Sequence, residues 1–372
     1  MKKFAIAATA LALAASTLTA VPANAAAVPA SKAVVLSECS TLNQVAKGKG
    51  ADGSDLKCLT AKVGSMKGKK IWQYPTLPVL SRLEMIIPNN LTSGFGGFGK
   101  AVVDALKAEG LAKTEPVLTA KPGPGNTTGL LYMIKDMAGK AGKIAVTGFA
   151  QVGGAYTAKV AYRVSDANPI SRMMAEYSAI AVKADSKYKT LADLVADLKK
   201  DAKAMAIVGG TVGGVDYYLS ANFFDALGLP LSSMNYTANN GGQASSLLSD
   251  AKYAFGISGY ADFAPYVASG DLRLLAVSAP SRLPGVATKT MKEQGVNVVV
   301  ENWRGLILPP NTSAAGKATV IRALDIVTKS KSFKDYLASQ KAVGRFLPGN
   351  QFVSWLKTEE NKIRKLYSDL GL

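Results

Sequence analysis

From Leu83 onward, short apolar runs alternate with stretches that carry apolar residues at helical spacing. The run Glu84 to Ile87 ends at Pro88, a Gly-rich loop follows, and residues 100–109 read as a helix stopped at Gly110. Further buried strands are predicted over 116–119, 144–147, 178–182, 205–208, 253–257, 272–277 and 296–300. Helices are predicted between many of them, over 126–137, 190–200, 216–227 and 242–248, and the C-terminal stretch is mostly helical over 317–330, 332–340 and 351–366. Strands and helices in this order predict an α/β fold with mainly parallel sheets.

The first 78 residues read differently. Lys2 and Lys3 precede an apolar run from Phe4 to Ala15, and the triplet Ala23, Asn24, Ala25 has the small-x-small form of a signal-peptidase site. Residues 1–25 are therefore expected to be a signal peptide, with the mature chain starting at Ala26; an N-terminal membrane anchor is the alternative. The apolar run is shorter than the ~20 residues that span a bilayer. Residues 26–78 form a Gly/Lys-rich extension of weak periodicity, closed by Tyr74, Pro75, Thr76, Leu77 and Pro78.

Composition narrows the chemistry. With 372 residues, 48% of them hydrophobic and 19% charged, the chain is a folded globule too long for one core, so two lobes are expected. It contains no histidine, which removes Ser-His-Asp triads, Cys-His nucleophiles and His-ligated metals. No enzymatic turnover, cofactor or metal is expected. Cys39 and Cys58 are the only cysteines, and in an exported chain they read as one disulfide, with two free thiols as the alternative. Cys39 lies too far past the cleavage site to be a lipoprotein cysteine. Removing Lys2 and Lys3 takes the net charge from +18 to +16, an excess that suits anionic solutes or anionic envelope polymers. Lysines are scattered without interleaved aromatics, so nucleic acid is not expected as a partner.

Four loops after predicted strands have the character of an anion site: 89–97, 122–129, 209–214 and 236–243. Each combines glycines, which let backbone N–H groups approach a ligand, with neutral Ser, Thr or Asn donors, and leads toward a helix N-terminus. A tight turn is the bland reading of any one of them. None carries a P-loop or dinucleotide fingerprint.

Several segments are similar to the substrate-binding receptors of tripartite tricarboxylate transporters, the Bug-type extracytoplasmic receptors. They are Glu176, Tyr177, Ser178 leading into 185–194; Gly213, Gly214, Val215, Asp216; the run Gly256 to Phe263; 270–284 with Arg282, Leu283, Pro284; Glu293, Gln294, Gly295; and Asn302, Trp303, Arg304, Gly305 with Pro309 and Pro310. The likeness covers roughly residues 80–372. It implies a two-lobe type II periplasmic-binding-protein fold, with lobe 1 formed by 79–177 and 281–372 and lobe 2 by 178–280. It also implies a small organic carboxylate ligand and a membrane transporter of one large and one small subunit. Where the family usually has Asp in its first loop, this chain has Gly96. A carboxylate is expected on the second-lobe groups Thr211, Gly213, Gly214, Asp216, Asn240, Gly241, Gly242 and Ser258, with Asn90, Ser93, Phe95, Thr127 and Thr128 closing from lobe 1. The expected form is a monomer. Competing readings are a ligand-presenting sensor subunit for a membrane kinase, a basic envelope-associated structural protein, and an enzyme on the same fold.

Overall fold

The computed structural model describes residues 27–239 and 242–372. Residues 1–26, which include the expected signal peptide, and the loop residues Asn240 and Gly241 lie outside the described residues.

Residues 27–78 are more ordered than their weak periodicity suggests. They hold a three-stranded antiparallel sheet of β1 (Val45–Ala46), β2 (Leu56–Thr60) and β3 (Lys70–Gln73), with Cys39 and Cys58 joined in a disulfide. Strands of two to five residues between Gly/Lys turns are too short to show a period. The module has buried Leu56, Cys58, Trp72 and Tyr74, and these join the same core as Phe98 and Val327 of the main fold.

The main sheet has ten strands: β4 (Glu84–Ile87), β5 (Val117–Ala120), β6 (Lys143–Gly148), β7 (Asn168–Lys183), β8 (Ala206–Gly209), β9 (Tyr236–Ala238), β10 (Tyr253–Gly259), β11 (Leu272–Val277), β12 (Glu301–Leu308) and β13 (Val343–Pro348). Its order is β5-β4-β6-β12-β7-β10-β8-β9, with β11 and β13 also pairing β7. The flanks are parallel, as β4 pairs β5 and β6 while β8 pairs β9 and β10. All pairings of β7, and that of β12 with β6, are antiparallel, so the sheet is mixed. The helices are α1 (Gly94–Ala108), α2 (Thr127–Leu131), α3 (Phe149–Thr157), α4 (Leu191–Lys200), α5 (Val215–Ala226), α6 (Gln243–Ser249), α7 (Tyr260–Ala268), α8 (Ala314–Lys329), α9 (Lys331–Ser339) and α10 (Gly349–Asp369).

Departures from the sequence pattern have local causes. The segment 296–300 buries Val296, Val298 and Val300 alternately, yet it is an extended connection: Val298 N donates to Val296 O and Val300 N to Ser278 O, with no ladder. The strand follows at β12. The predicted strand 178–182 is the end of the sixteen-residue β7, whose first part is interrupted by Pro169, Arg172 and Glu176. The predicted helix 126–137 is short α2 continued by a π-turn over Tyr132–Asp136. Helices α3, with Gly153 and Gly154, and α7, with Pro265 inside it, carry residues that argue against helix. Helix α1 starts at Gly94 because Ser93 Oγ accepts from Gly96 N at 3.2 Å, capping a segment that reads as a glycine loop.

The module is bound to the main fold by specific polar contacts. Tyr74 Oη donates to Asp325 Oδ2 on α8 at 2.8 Å, Arg322 Nε of α8 donates to Asp52 Oδ2 at 2.6 Å, and Ser65 N donates to Glu109 Oε2 at 3.2 Å. Closing a loop of sequence separation 19, the disulfide stabilises this module by roughly 3 kcal/mol through its unfolded state. Replacing both cysteines by Ser should therefore raise amide exchange across β2 and β3 well before it affects β7. Equal loss of protection in both places would show that the module and the main sheet unfold as one unit.

Candidate functional site

A cleft of about 710 Å³ opens where β7 and β12 meet the loops of the second half-sheet. Helix starts converge on it: Gly94 of α1, Val215 and Asp216 of α5, Gln243 and Ala244 of α6, and Tyr260, Ala261 and Asp262 of α7. Helix N-termini present unsatisfied N–H groups and the positive end of the peptide dipoles.

On the β7/β12 side, Glu176 lies opposite Asn302 in the strand register, with Arg304 two residues farther along. That spacing brings the diagonal pair into reach. Arg304 Nη1 donates to Glu176 Oε1 at 2.6 Å and Nη2 to Oε2 at 3.0 Å, while Asn302 Nδ2 donates to Oε2 at 3.2 Å. Burial pushes the Glu176 carboxyl above its ordinary range, and Arg304 works against that shift. The fork needs Gly94, since a Cβ there would sit 2.8 Å from Arg304 Nη2.

Across the cleft, Asp216 is buried without a cationic partner among the described residues. Its carboxylate accepts from Ser178 Oγ and from Gly210 N, each at 3.1 Å. Burial, with a smaller contribution from the charge of Asp262, pushes its pKa up to about 7. Asp262 is exposed and accepts from Ser258 Oγ at 2.8 Å. Neutral groups complete the lining: Thr211, Asn239, Gln243 and Tyr260, with Lys341 exposed at the rim. Such a surface is suited to polar ligands held by many neutral hydrogen bonds, its one ion pair being already neutralised within itself.

Of the residues expected from sequence, Thr211, Asp216, Gly242 and Ser258 line the cleft. Asn240 and Gly241 lie outside the described residues, and Asn90, Ser93, Phe95, Thr127, Thr128, Gly213 and Gly214 are not part of the lining. Phe95 is buried, its ring filling the space beside Gly148. Ser93 caps α1 and donates to Asn90 O at 2.6 Å, and Asn90 lies in that same turn. Thr127 is buried and donates to Pro124 O at 2.7 Å, while Thr128 Oγ1 occupies the space of a Cβ at Gly123. Gly214 N closes the turn onto Thr211 O at 2.9 Å. Gly213 has φ +78, its carbonyl accepts from Tyr367 Oη at 2.8 Å, and a Cβ there would lie 2.5 Å from Thr157 Cγ2. A branched residue at 213 would therefore strain the backbone and collide with α3 rather than fill the ligand space. Gly96 likewise has no room for the family's usual Asp, as a Cβ there would lie 1.9 Å from Leu91 O.

Glu176, Asn302, Arg304 and Asp262 were given no role from sequence. For Glu176 and Arg304 the signal is a charged residue inside an apolar strand, Glu176 in MMAEYSA and Arg304 in NWRGLIL, which demands a buried partner, whereas uncharged Asn302 and exposed Asp262 in α7 carry no such signal.

The family model described as "Tripartite tricarboxylate transporter family receptor" matches residues 102–372. No curated protein matches the chain. A TctC solute-binding protein from Polaromonas, without ligand, superimposes with a TM-score of 0.68 at 21% identity, over 80% of this chain and 99% of that one. MatC from Rhodopseudomonas palustris with bound malate gives 0.60 at 15% identity, over 79% and 99%. An R. palustris protein with adipate gives 0.60 at 14%, over 80% and 99%. These likenesses establish the two-lobe periplasmic-binding fold. They also leave about a fifth of this chain unmatched, the share that the first 78 of its 372 residues make up.

Asp216 makes a pH signature testable. A carboxyl whose pKa rises from 3.8 unfolded to about 7 folded contributes stability that is fully present below the unfolded value and is lost as pH rises through the folded one. Urea unfolding should show wild type losing up to about 4 kcal/mol between pH 4 and pH 8 relative to Asp216→Asn. Parallel pH profiles for the two proteins would mean that Asp216 ionises as an ordinary surface carboxyl.

Proposed function

This chain belongs to the tripartite tricarboxylate transporter receptor family, and from that premise we propose that it is an exported receptor that captures a small organic carboxylate between two lobes and delivers it to a membrane transporter of one large and one small subunit. Lobe 1 comprises 79–177 with 281–372, and lobe 2 comprises 178–280. The observation that carries the reading is the cleft itself, a concave polar site ringed by helix N-termini at the junction of the two half-sheets. Neutral donors and helix starts are the chemistry that holds a carboxylate without burying an unpaired cation. The bound malate and adipate of the two R. palustris proteins support a di- or tricarboxylate or similar acid. The family is one of receptors rather than enzymes.

Ligand contacts come from Thr211, Gly242 and Ser258 on lobe 2 and from Asn302 on lobe 1. Contacts from both lobes favour closure only through their differential binding to the closed state. The leader at 1–25 supports export, and no described helix is long and apolar enough to cross a membrane. The receptor acts as a monomer.

A thermal-shift screen of C4 to C6 organic acids, followed by calorimetric titration, tests this. A hydrogen bond to a charged ligand is worth roughly 1.5 to 3 kcal/mol, so Thr211→Ala should weaken binding about ten- to a hundredfold. Thr128→Ala, which lies off the cleft, should leave affinity within about threefold. Unchanged affinity in both Thr211→Ala and Ser258→Ala would put the ligand outside this cleft.

A further inference from the structure

The module of residues 27–78 lies outside the family match, and none of its residues lines the cleft. It is folded, stapled by its disulfide and docked on α1 and α8, so it is a standing part of the molecule with no share in the site. We propose that it is a docking surface for an anionic polymer bearing closely spaced phosphate groups.

Charge is concentrated here. Residues 27–78 contain eight Lys, no Arg and three acids, a net +5 in 52 residues, whereas the 294 residues that follow carry +11. All three acids are already engaged: Glu38 with Lys69 at 3.0 Å, Asp52 with Arg322 of α8 at 2.6 Å, and Asp55 with the backbone N–H of Gly48 at 2.8 Å. Lys32, Lys47, Lys49, Lys62, Lys67 and Lys70 are exposed and make no salt bridge among the described residues.

These lysines stand on fixed turns. Gly68 N donates to Ala61 O and Ala61 N to Lys69 O, both at 2.9 Å, which closes the turn between β2 and β3 that carries Lys62 and Lys67 beside Lys70. Ser65 ties that turn to Glu109, and Asp55 ties the turn carrying Lys47 and Lys49. Several cations on a preorganised frame gain affinity for a repeating anion by multivalency, each contact being weak alone.

The aromatics decide against other polyanionic partners. Trp72 and Tyr74 are the only aromatic residues of the module and both are buried. No ring is left to stack on bases or to seat at a lipid interface.

The test uses the full mature chain with immobilised long-chain polyphosphate at low salt. The triple variant Lys62→Ala, Lys67→Ala, Lys70→Ala should lose tenfold or more in affinity. The charge-matched control Lys189→Ala, Lys199→Ala, Lys203→Ala, also exposed and outside any described salt bridge, should lose less than about threefold. Orthophosphate at equal total phosphate should fail to compete, and rising salt should weaken binding steeply. Equal losses in the two triples would overturn the proposal, since net charge alone would then suffice. So would equally tight, hairpin-dependent binding to phosphatidylglycerol vesicles or to oligothymidylate. Should the hairpin triple misfold, Lys47→Ala with Lys49→Ala provides the same comparison. Neither result bears on carboxylate binding in the cleft.

Discussion

One strand holds the molecule together. The sixteen residues of β7, about 50 Å of extended chain, are shared by both half-sheets. Its first part, through Tyr177, pairs β12 and β13, and from Ser178 onward it pairs β10 and β11. The changeover is fixed by a short relay: Ser178 N donates to Ser278 Oγ at 3.1 Å, which donates to Val300 O at 2.8 Å. Just before it, Glu301 accepts from Arg172 Nη1 at 2.7 Å and from Tyr177 Oη at 2.8 Å, and Arg345 of β13 donates to the same tyrosine oxygen at 2.7 Å. Because side chains alternate along a strand, a one-residue slip of β7 would turn Glu176 away from the cleft and break its fork to Arg304. The site is thus a consequence of register.

That dependence accounts for the charges in the cleft. A buried ion pair adds little net stability, but removing one partner strands the other, at a cost of 3–5 kcal/mol, which makes Glu176 and Arg304 a device for register more than for affinity. Once satisfied by each other, they leave the neutral donors and helix starts as the groups free to meet a ligand in the proposed function. Asp216 and Asp262 then restrict how an acid can lie. In the function proposed above, a ligand carboxylate keeps to the Thr211 and Asn302 regions or meets Asp216 in its protonated form.

The sequence pattern revealed most of the apolar strands and hid β12 and the first part of β7, for one physical reason. Strand β8 is a mostly buried apolar run, β4 and β11 are nearly so apart from Glu84 and Arg273, and α4 announces itself with the capping box of Thr190 and Asp193. Strands β7 and β12 sit at the junction, where they must be half core and half site, so Arg172, Glu176, Asn302 and Arg304 break the apolar pattern that would identify them. The glycine loops were legible as places of close approach, but a glycine does not say what approaches. At Gly213 it is Thr157 and Tyr367, and at Gly96 it is the carbonyl of Leu91. The side-chain hydrogen bonds of Ser93 and Thr127 stay within their own turns, which a glycine-rich loop does not announce.

The attachment of the N-terminal module follows the same division of labour. Its partners, Glu109, Arg322 and Asp325, lie on α1, at the residue that caps it, and on α8, and the core it joins includes no residue from 178–280. Tyr74 and Asp325 are both buried, and burial pushes both of their pKa values up, so the hydroxyl stays protonated and keeps donating to the carboxylate. A fixed contact of this kind fastens the module to one half of the molecule, and among the described residues no hydrogen bond or salt bridge joins it to 178–280. If the two lobes close as proposed, the module travels with the first, and its anionic-polymer surface is independent of the angle of the second.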